Sequence, residues 1–355
     1  ISNFPKICLG VGTIFWEYVV TDFSEICQIA FILGAINSYL CKGNKNRWIF
    51  ISGYLSLLIL FKLLYVVVIP PFLILAFLEA ARDRMLFKKL FHGAFFLVPA
   101  GLFLMFMNWI RYGSIFESGY GNSQTAFSLI YFQRDWKDYL FSFERGIIPY
   151  SPLILASILT LKCFYNKNKE AFFLIFSISS VLFILFTSWV GWKGGYCWGN
   201  RNLVPIVPLL CICWAFLDFT SRKQNFIFMI LLSISIPLQI ISISVKTHEW
   251  SVLSREFKDH HDPYYVPNTI KGTFLLFKEK IINSTGVYKA ENFVSEHRHS
   301  INLKDYESFT GFNFWIVHLL KYLNAKSFLT IMGNITLITV TTISAYLLMN
   351  FSIKF

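Results

Sequence analysis

The chain has 355 residues, 55% of them hydrophobic and only 15% charged, against about 25% charged in an ordinary soluble domain. Phe alone contributes 39 residues and aromatics reach 19%, a composition that excludes an ordinary soluble domain and asks for lipid as the main solvent. The formal charge of +12 is scattered over short loops between apolar runs, with no continuous basic face; this excludes a nucleic-acid partner and suits membrane orientation.

The first residue is Ile1, with no initiator Met and no signal-peptide pattern, so further sequence is expected upstream. Ser24 to Leu40 is the first apolar run, with Glu25 at its outer lip. Trp48 to Leu78 follows as two apolar stretches split by Lys62 and carrying Pro70 and Pro71, which predicts a hairpin of two short helices. Phe91 to Ile110 is interrupted only by His92, and Gly146 to Leu161 is shorter. Ala171 to Val190, Phe226 to Val245 and Phe328 to Met349 contain no Asp, Glu, Lys or Arg, and each is long enough to cross about 30 Å of hydrocarbon as a helix. Between the first two of these lies Leu203 to Leu217, again shorter. The expected fold is an all-α polytopic membrane protein with about nine transmembrane segments.

Orientation follows from the short loops, where Lys and Arg concentrate on the cytoplasmic side. Lys42, Lys45 and Arg47; Arg82, Arg84, Lys88 and Lys89; Lys167 and Lys169; Arg222 and Lys223; and Lys354 form one alternating set. That set is read as cytoplasmic. The stretch up to Phe23, the loops from Arg111 to Arg145 and from Gly191 to Asn202, and the segment from Lys246 to Lys326 then face outside. The division expected is a transmembrane region over 1–243, an extracytoplasmic loop or small subdomain over 244–326, and a C-terminal transmembrane helix over 327–355. Phe312 to Leu323 is expected to lie at the interface.

An ionisable residue at the edge of an apolar run is a functional candidate, because charge is costly in hydrocarbon. Glu25, Lys62 and Arg201 qualify, and all three are placed near the outer face, where they can converge. The loop from Trp189 to Arg201 combines three Trp with four Gly. Gly permits close backbone approach, Trp offers flat apolar surfaces for sugars or headgroups, and Lys193 and Arg201 can grip phosphate oxygens. A plainer reading of this loop is an interfacial anchor whose basic residues snorkel to lipid phosphates. Lys62 has the same alternative, and Glu25 that of an exposed first-turn acid behind Thr21, Asp22 and Ser24. The string Asp259, His260, His261, Asp262 is better read as a solvated loop than as a metal site. Seven cysteines show no CxxC spacing, so neither a metal cluster nor a disulfide framework is expected, although Cys8 and Cys197 fall on the same outer side.

Several strings together resemble polytopic GT-C glycosyltransferases, specifically bacterial membrane proteins similar to dolichyl-phosphate-mannose protein mannosyltransferases. WKGGYCWGNRNLVPIVPLL, Trp192 to Leu210, resembles the pattern W.GG..WGPRYLLP.LPLL, departing at Asn200, where the pattern has Pro, and at Asn202, where an aromatic is usual. NWIRYGSIFESGYG, Asn108 to Gly121, is similar to N..R.GSPFE.GYG, and GIIPYSPL spans Gly146 to Leu153. GTIFWEYVVTDFSE, Gly12 to Glu25, resembles the group's extracytoplasmic lead into a membrane helix, and FKLLYVVVIPP, Phe61 to Pro71, its basic residue before a Pro-containing helix. The likeness runs from about Gly12 to Leu217.

What the resemblance implies is inverting transfer of a sugar from a polyprenyl-phosphate donor to an extracytoplasmic acceptor, in the bilayer of a cell envelope such as the bacterial inner membrane. The family's catalytic base lies in the first extracytoplasmic loop, upstream of Ile1. Glu25 matches the second acidic position, which in the family contacts metal, acceptor or phosphate, with Asp22 as an alternative supporting carboxylate. Arg201, Lys62 and Lys193 would bind donor phosphate, and Trp192, Trp198 and Tyr120 would contact sugar or lipid. No motif demands a cofactor, and a divalent cation is compatible with the resemblance. Rival readings are a lipid-linked sugar flippase or transporter, an O-antigen-type polymerase or ligase, and a non-catalytic membrane subunit.

Overall fold

The computed structural model describes residues 4–20, 24–83, 86–117, 127–189, 197–218 and 220–244, together with 270, 273, 274 and 277. The last apolar run, Phe328 to Met349, and nearly all of 244–326 lie outside them. Among the described residues the chain is helical, with one isolated antiparallel bridge between Phe127 and Trp189.

Two short helices, α1 (Phe4–Gly12) and α2 (Phe15–Val20), lead into α3 (Glu25–Leu40) and α4 (Arg47–Phe61). Lys62 then breaks the chain with extended backbone, φ −154° and ψ 107°, before a 3-10 turn, Leu63–Val68, feeds α5 (Ile69–Asp83). The reversal expected at Lys62 is therefore present: Arg47 in the first turn of α4 pairs with Glu79 near the end of α5. The long helix α6 (Leu86–Tyr112) packs along α4, held where Ser52 Oγ accepts hydrogen bonds from Phe96 N (2.9 Å) and Leu97 N (3.3 Å).

Next come α7 (Leu129–Phe141), α8 (Ile147–Tyr150), a 3-10 stretch over Pro152–Thr160, α9 (Leu161–Lys167) and α10 (Lys169–Thr187). Ser128 and Asn168 cap α7 and α10 with side-chain oxygens that accept from Ile130 N and Ala171 N. A short 3-10 turn, Arg201–Leu203, α11 (Ile206–Cys211), another 3-10 turn, Ile212–Phe216, and α12 (Arg222–Ser244) complete the described bundle. The apolar runs over 146–161 and 203–217 are thus broken into α and 3-10 pieces. Pro149, Pro152, Pro205 and Pro208 lack the N–H that an unbroken ladder needs.

Among the described residues α6, α10 and α12 are long and apolar enough to cross a membrane, and α3, α4, Leu63–Glu79 and Ile206–Phe216 are shorter apolar helical stretches. Of the described side chains of α6 only Ala100 is buried, while Phe91, Val98, Leu102, Phe103, Trp109 and Ile110 are more than half exposed. In water such a surface would aggregate; in lipid it is already solvated. The protein is a membrane protein by this criterion.

The core carries hydrogen bonds between its elements as well as apolar contacts. Ile14 N donates to Ser151 Oγ (2.8 Å), Leu153 N to Ser235 Oγ (3.0 Å), Gln239 Nε2 to Tyr150 O (2.7 Å) and Ser157 Oγ to Leu210 O (2.9 Å). Each satisfies a backbone group that a proline, helix end or 3-10 turn would otherwise leave exposed to hydrocarbon.

Candidate functional site

The turn at 197–200 is built from its backbone outward. Gly199 has a φ of +64°, and a Cβ there would lie 2.7 Å from Ile14 Cδ1 and 2.9 Å from Tyr150 Cγ, so glycine is required both by conformation and by space. Arg145, wholly buried, donates from Nη1 to Cys197 O and, at 3.1 Å, to Gly199 O. Tyr18 Oη donates to Trp198 O at 3.1 Å. The Trp198 ring, also buried, meets Tyr150 edge to face at 4.7 Å. One guanidinium, one phenol and one ring pair therefore fix this turn against three separate elements.

From that turn the chain enters the short Arg201–Leu203 helix, capped by Asn200, whose Oδ1 accepts from Asn202 N at 3.0 Å. The cap directs Asn202, itself buried, toward Lys62: Lys62 Nζ donates to Asn202 Oδ1 at 3.3 Å. The same ammonium stands 5.2 Å from the Phe186 ring centroid and 5.9 Å from that of Tyr65, a cation–π seat for a partly desolvated charge. Glu25 and Arg201 are both close enough to Lys62 to act on its charge, the first attracting and the second repelling. Glu25, in the first turn of α3, is buried with 3% exposure.

Sequence reasoning named Glu25, Lys62 and Arg201 separately, and the fold brings them together at one end of the bundle. Trp198 is on the adjoining turn, but its ring is enclosed by the core and not displayed on the surface. Asp22, Tyr120, Trp192 and Lys193 lie outside the described residues. Neither Cys8 nor Cys197 is in a disulfide; both are buried.

Arg145, Tyr18, Gln28 and Asn202 were not singled out as site residues from the sequence. Arg145 was visible only as the last charge before an apolar run. Asn202 was visible as a departure from the resembled pattern, and that departure is the residue that contacts Lys62.

Several polar atoms here have no hydrogen-bond partner among the described residues: Glu25 Oε2, Gln28 Oε1, Asn202 Nδ2 and Trp198 Nε1, all buried. Buried polar groups are ordinarily paired, and an orphan group costs about 1–3 kcal/mol. Glu25 Oε2 and Gln28 Oε1 are acceptors and Asn202 Nδ2 is a donor beside the Lys62 and Arg201 cations, a set whose chemistry matches hydroxyls together with a negative charge. Among the described residues no three His, Cys, Asp or Glu side chains group as a metal set would.

A second carboxylate, Glu17 of α2, is buried nearby in sequence and accepts from Ser242 Oγ of α12 at 2.8 Å. Burial pushes its pKa up to about 8, partly offset by that hydrogen bond.

No family model, curated protein or solved structure matches this chain.

Proposed function

We propose that the protein is a polytopic membrane glycosyltransferase that moves a sugar from a polyprenyl-phosphate donor to an extracytoplasmic acceptor with inversion at the anomeric carbon. The observation that carries the reading is the meeting of Glu25, Lys62 and Arg201 beside the Arg145-pinned turn, at the end of the bundle that the loop charges assign to the outside. Breaking the bond between sugar and lipid phosphate leaves negative charge on the phosphate, and preorganised cations lower the barrier by stabilising it there. Arg201 and Lys62 take that role, with Asn202 holding the ammonium in place. Glu25 orients acceptor or sugar hydroxyls as an acceptor-only group. In the GT-C enzymes that the chain resembles, the general base is a carboxylate of the first extracytoplasmic loop.

In this reading the chain has about nine transmembrane segments, a cytoplasmic C-terminus and an extracytoplasmic subdomain over 244–326, in a bacterial inner membrane. The acceptor is a glycan, a lipid or a protein presented from outside. Lys193 of the Trp/Gly loop adds a third cation to the phosphate, and Trp192 and Tyr120 border the sugar.

Binding of a short polyprenyl phosphate to the complete purified protein tests the phosphate role apart from the chemistry. A hydrogen bond to a charged group contributes about 1.5–3 kcal/mol, so Arg201→Ala and Lys62→Met should each weaken binding by about tenfold to a hundredfold. Full affinity in both variants, with thermal stability unchanged, would refute it.

A further inference from the structure

The buried stripe of α3 runs Glu25, Gln28, Ile29, Ile32, Ala35 and Ile36, the spacing of a helix with one face to the core. Its first two members are polar, although apolar side chains would pack there more cheaply. Gln28 is wholly buried. Its Nε2 donates to Ser24 Oγ at 3.0 Å, which leaves Oε1 as the other end of the amide, without a hydrogen-bond partner among the described residues. A buried acceptor left unpaired is a standing cost to the fold.

The α3–α4 hairpin sets Gln28 at about the height of Lys62. Contacts up this antiparallel pair are Tyr39 with Trp48, their ring centroids 6.1 Å apart, then Gly34 with the Tyr54 ring, then Phe31 with Phe61 at 5.2 Å. Lys62 follows Phe61 directly, and Gln28 lies about one turn before Phe31, toward the same end. Gln28 is likewise about one turn from Glu25 on the same face of α3, and Glu25 acts on the charge of Lys62. Asn202 has its orientation settled by Lys62. An ammonium only donates, so Oδ1 faces it at 3.3 Å, and Nδ2 is the end left over, buried and without a partner among the described residues.

An ionised phosphate only accepts hydrogen bonds, so Glu25 Oε2 and Gln28 Oε1 repel it while Lys62 and Arg201 attract it. A hydroxyl both donates and accepts, which matches the neutral pair of Gln28 Oε1 and Asn202 Nδ2. Phosphate and sugar of one donor therefore sort to different sides of the site, the phosphate to the cations and the sugar toward α3. Asn202 stands where the resembled pattern has an aromatic, so its donor is a feature of this chain.

We propose that Gln28 is a specificity-determining residue whose Oε1 accepts a hydrogen bond from a hydroxyl of the transferred sugar, while Asn202 Nδ2 donates to a sugar oxygen. The inference rests on the glycosyltransferase reading and gives it a sugar subsite between α3 and the Arg201–Leu203 turn.

Binding of a short polyprenyl phosphate, and of its mannosyl and glucosyl phosphodiesters, to the complete purified protein tests it. Gln28→Met keeps the length of the side chain and removes the acceptor. A buried hydroxyl left without its partner should weaken binding of a glycosyl lipid by about fivefold to a hundredfold, while affinity for the bare lipid phosphate changes by less than about twofold. The thermal transition of the ligand-free variant should be unchanged or raised, because an unpaired acceptor has left the apolar stripe. Equal weakening of bare and glycosyl lipids, undiminished affinity for both glycosyl lipids, or a lowered transition would overturn the proposal and leave the glycosyltransferase reading standing. Binding of none of the three lipids by the unaltered protein would overturn both.

Discussion

Replacing Arg145 by Ala should release the turn that carries Cys197, Trp198 and Gly199 while leaving the long helices in place. Arg145 Nη1 donates to Cys197 O and Gly199 O. Hydrogen bonds from a charged donor contribute about 1.5–3 kcal/mol each, so losing two makes local opening easier by about 3–6 kcal/mol. With tenfold per 1.4 kcal/mol, the open fraction rises by about a hundredfold to ten-thousandfold. Cys197 is 3% exposed, and its thiol reports the opening directly. In a variant whose other six cysteines are replaced, maleimide labelling of Cys197 in the opening-limited regime should accelerate by that factor. Arg145→Lys, which supplies a point charge in place of a planar fork, should fall between. A change of less than fivefold in Arg145→Ala, with the thermal transition unmoved, would refute the pinning role.

Gly199→Ala forces a left-handed conformation on an L side chain, costing about 1–2 kcal/mol, and drives a Cβ into Ile14 and Tyr150, costing about 1–3 kcal/mol more; its thermal transition should fall clearly below that of Gly53→Ala, where the nearest outside atom is 3.6 Å away. Glu17 has a pKa raised to about 8 in the folded chain from an ordinary value of 4.5. The folded state holds that proton more tightly, so the contribution of Glu17 to stability is fully present below about 4.5, declines as pH rises toward about 8, and then levels. Glu17→Gln should flatten this decline in thermal melts between about pH 5 and pH 9, whereas an unchanged slope would assign it to other groups.

The long helices were legible because charge-free runs of membrane length have few alternatives: α6, α10 and α12 each begin and end within a few residues of the runs that announced them. The break at Lys62 was legible for the same reason, since a lysine between two apolar stretches is costly anywhere but at a turn. Glu25 and Arg201 stood out at the lips of their runs on the same argument. The 3-10 stretches were less legible, because hydrophobicity along a wholly apolar run carries no period; Pro149, Pro152, Pro205 and Pro208 were the available signal. Arg145 and Asn202 were hidden for another reason. Their roles are contacts to groups 52 and 140 residues away, and no local spacing encodes such partners. The same holds for the pair of Arg47 and Glu79, 32 residues apart, whose basic member reads from sequence only as an orientation charge.

Transfer of labelled sugar from a short polyprenyl-phosphate donor by the complete protein in liposomes tests the central claim most directly, with Glu25→Gln and Arg201→Ala beside the unaltered protein. Transfer by the unaltered protein, lost in both variants while each still folds, is the expected result and places the chemistry at the Glu25, Lys62 and Arg201 cluster. No transfer across a panel of donors, with a labelled lipid crossing the bilayer instead, would contradict the claim and make the protein a lipid flippase.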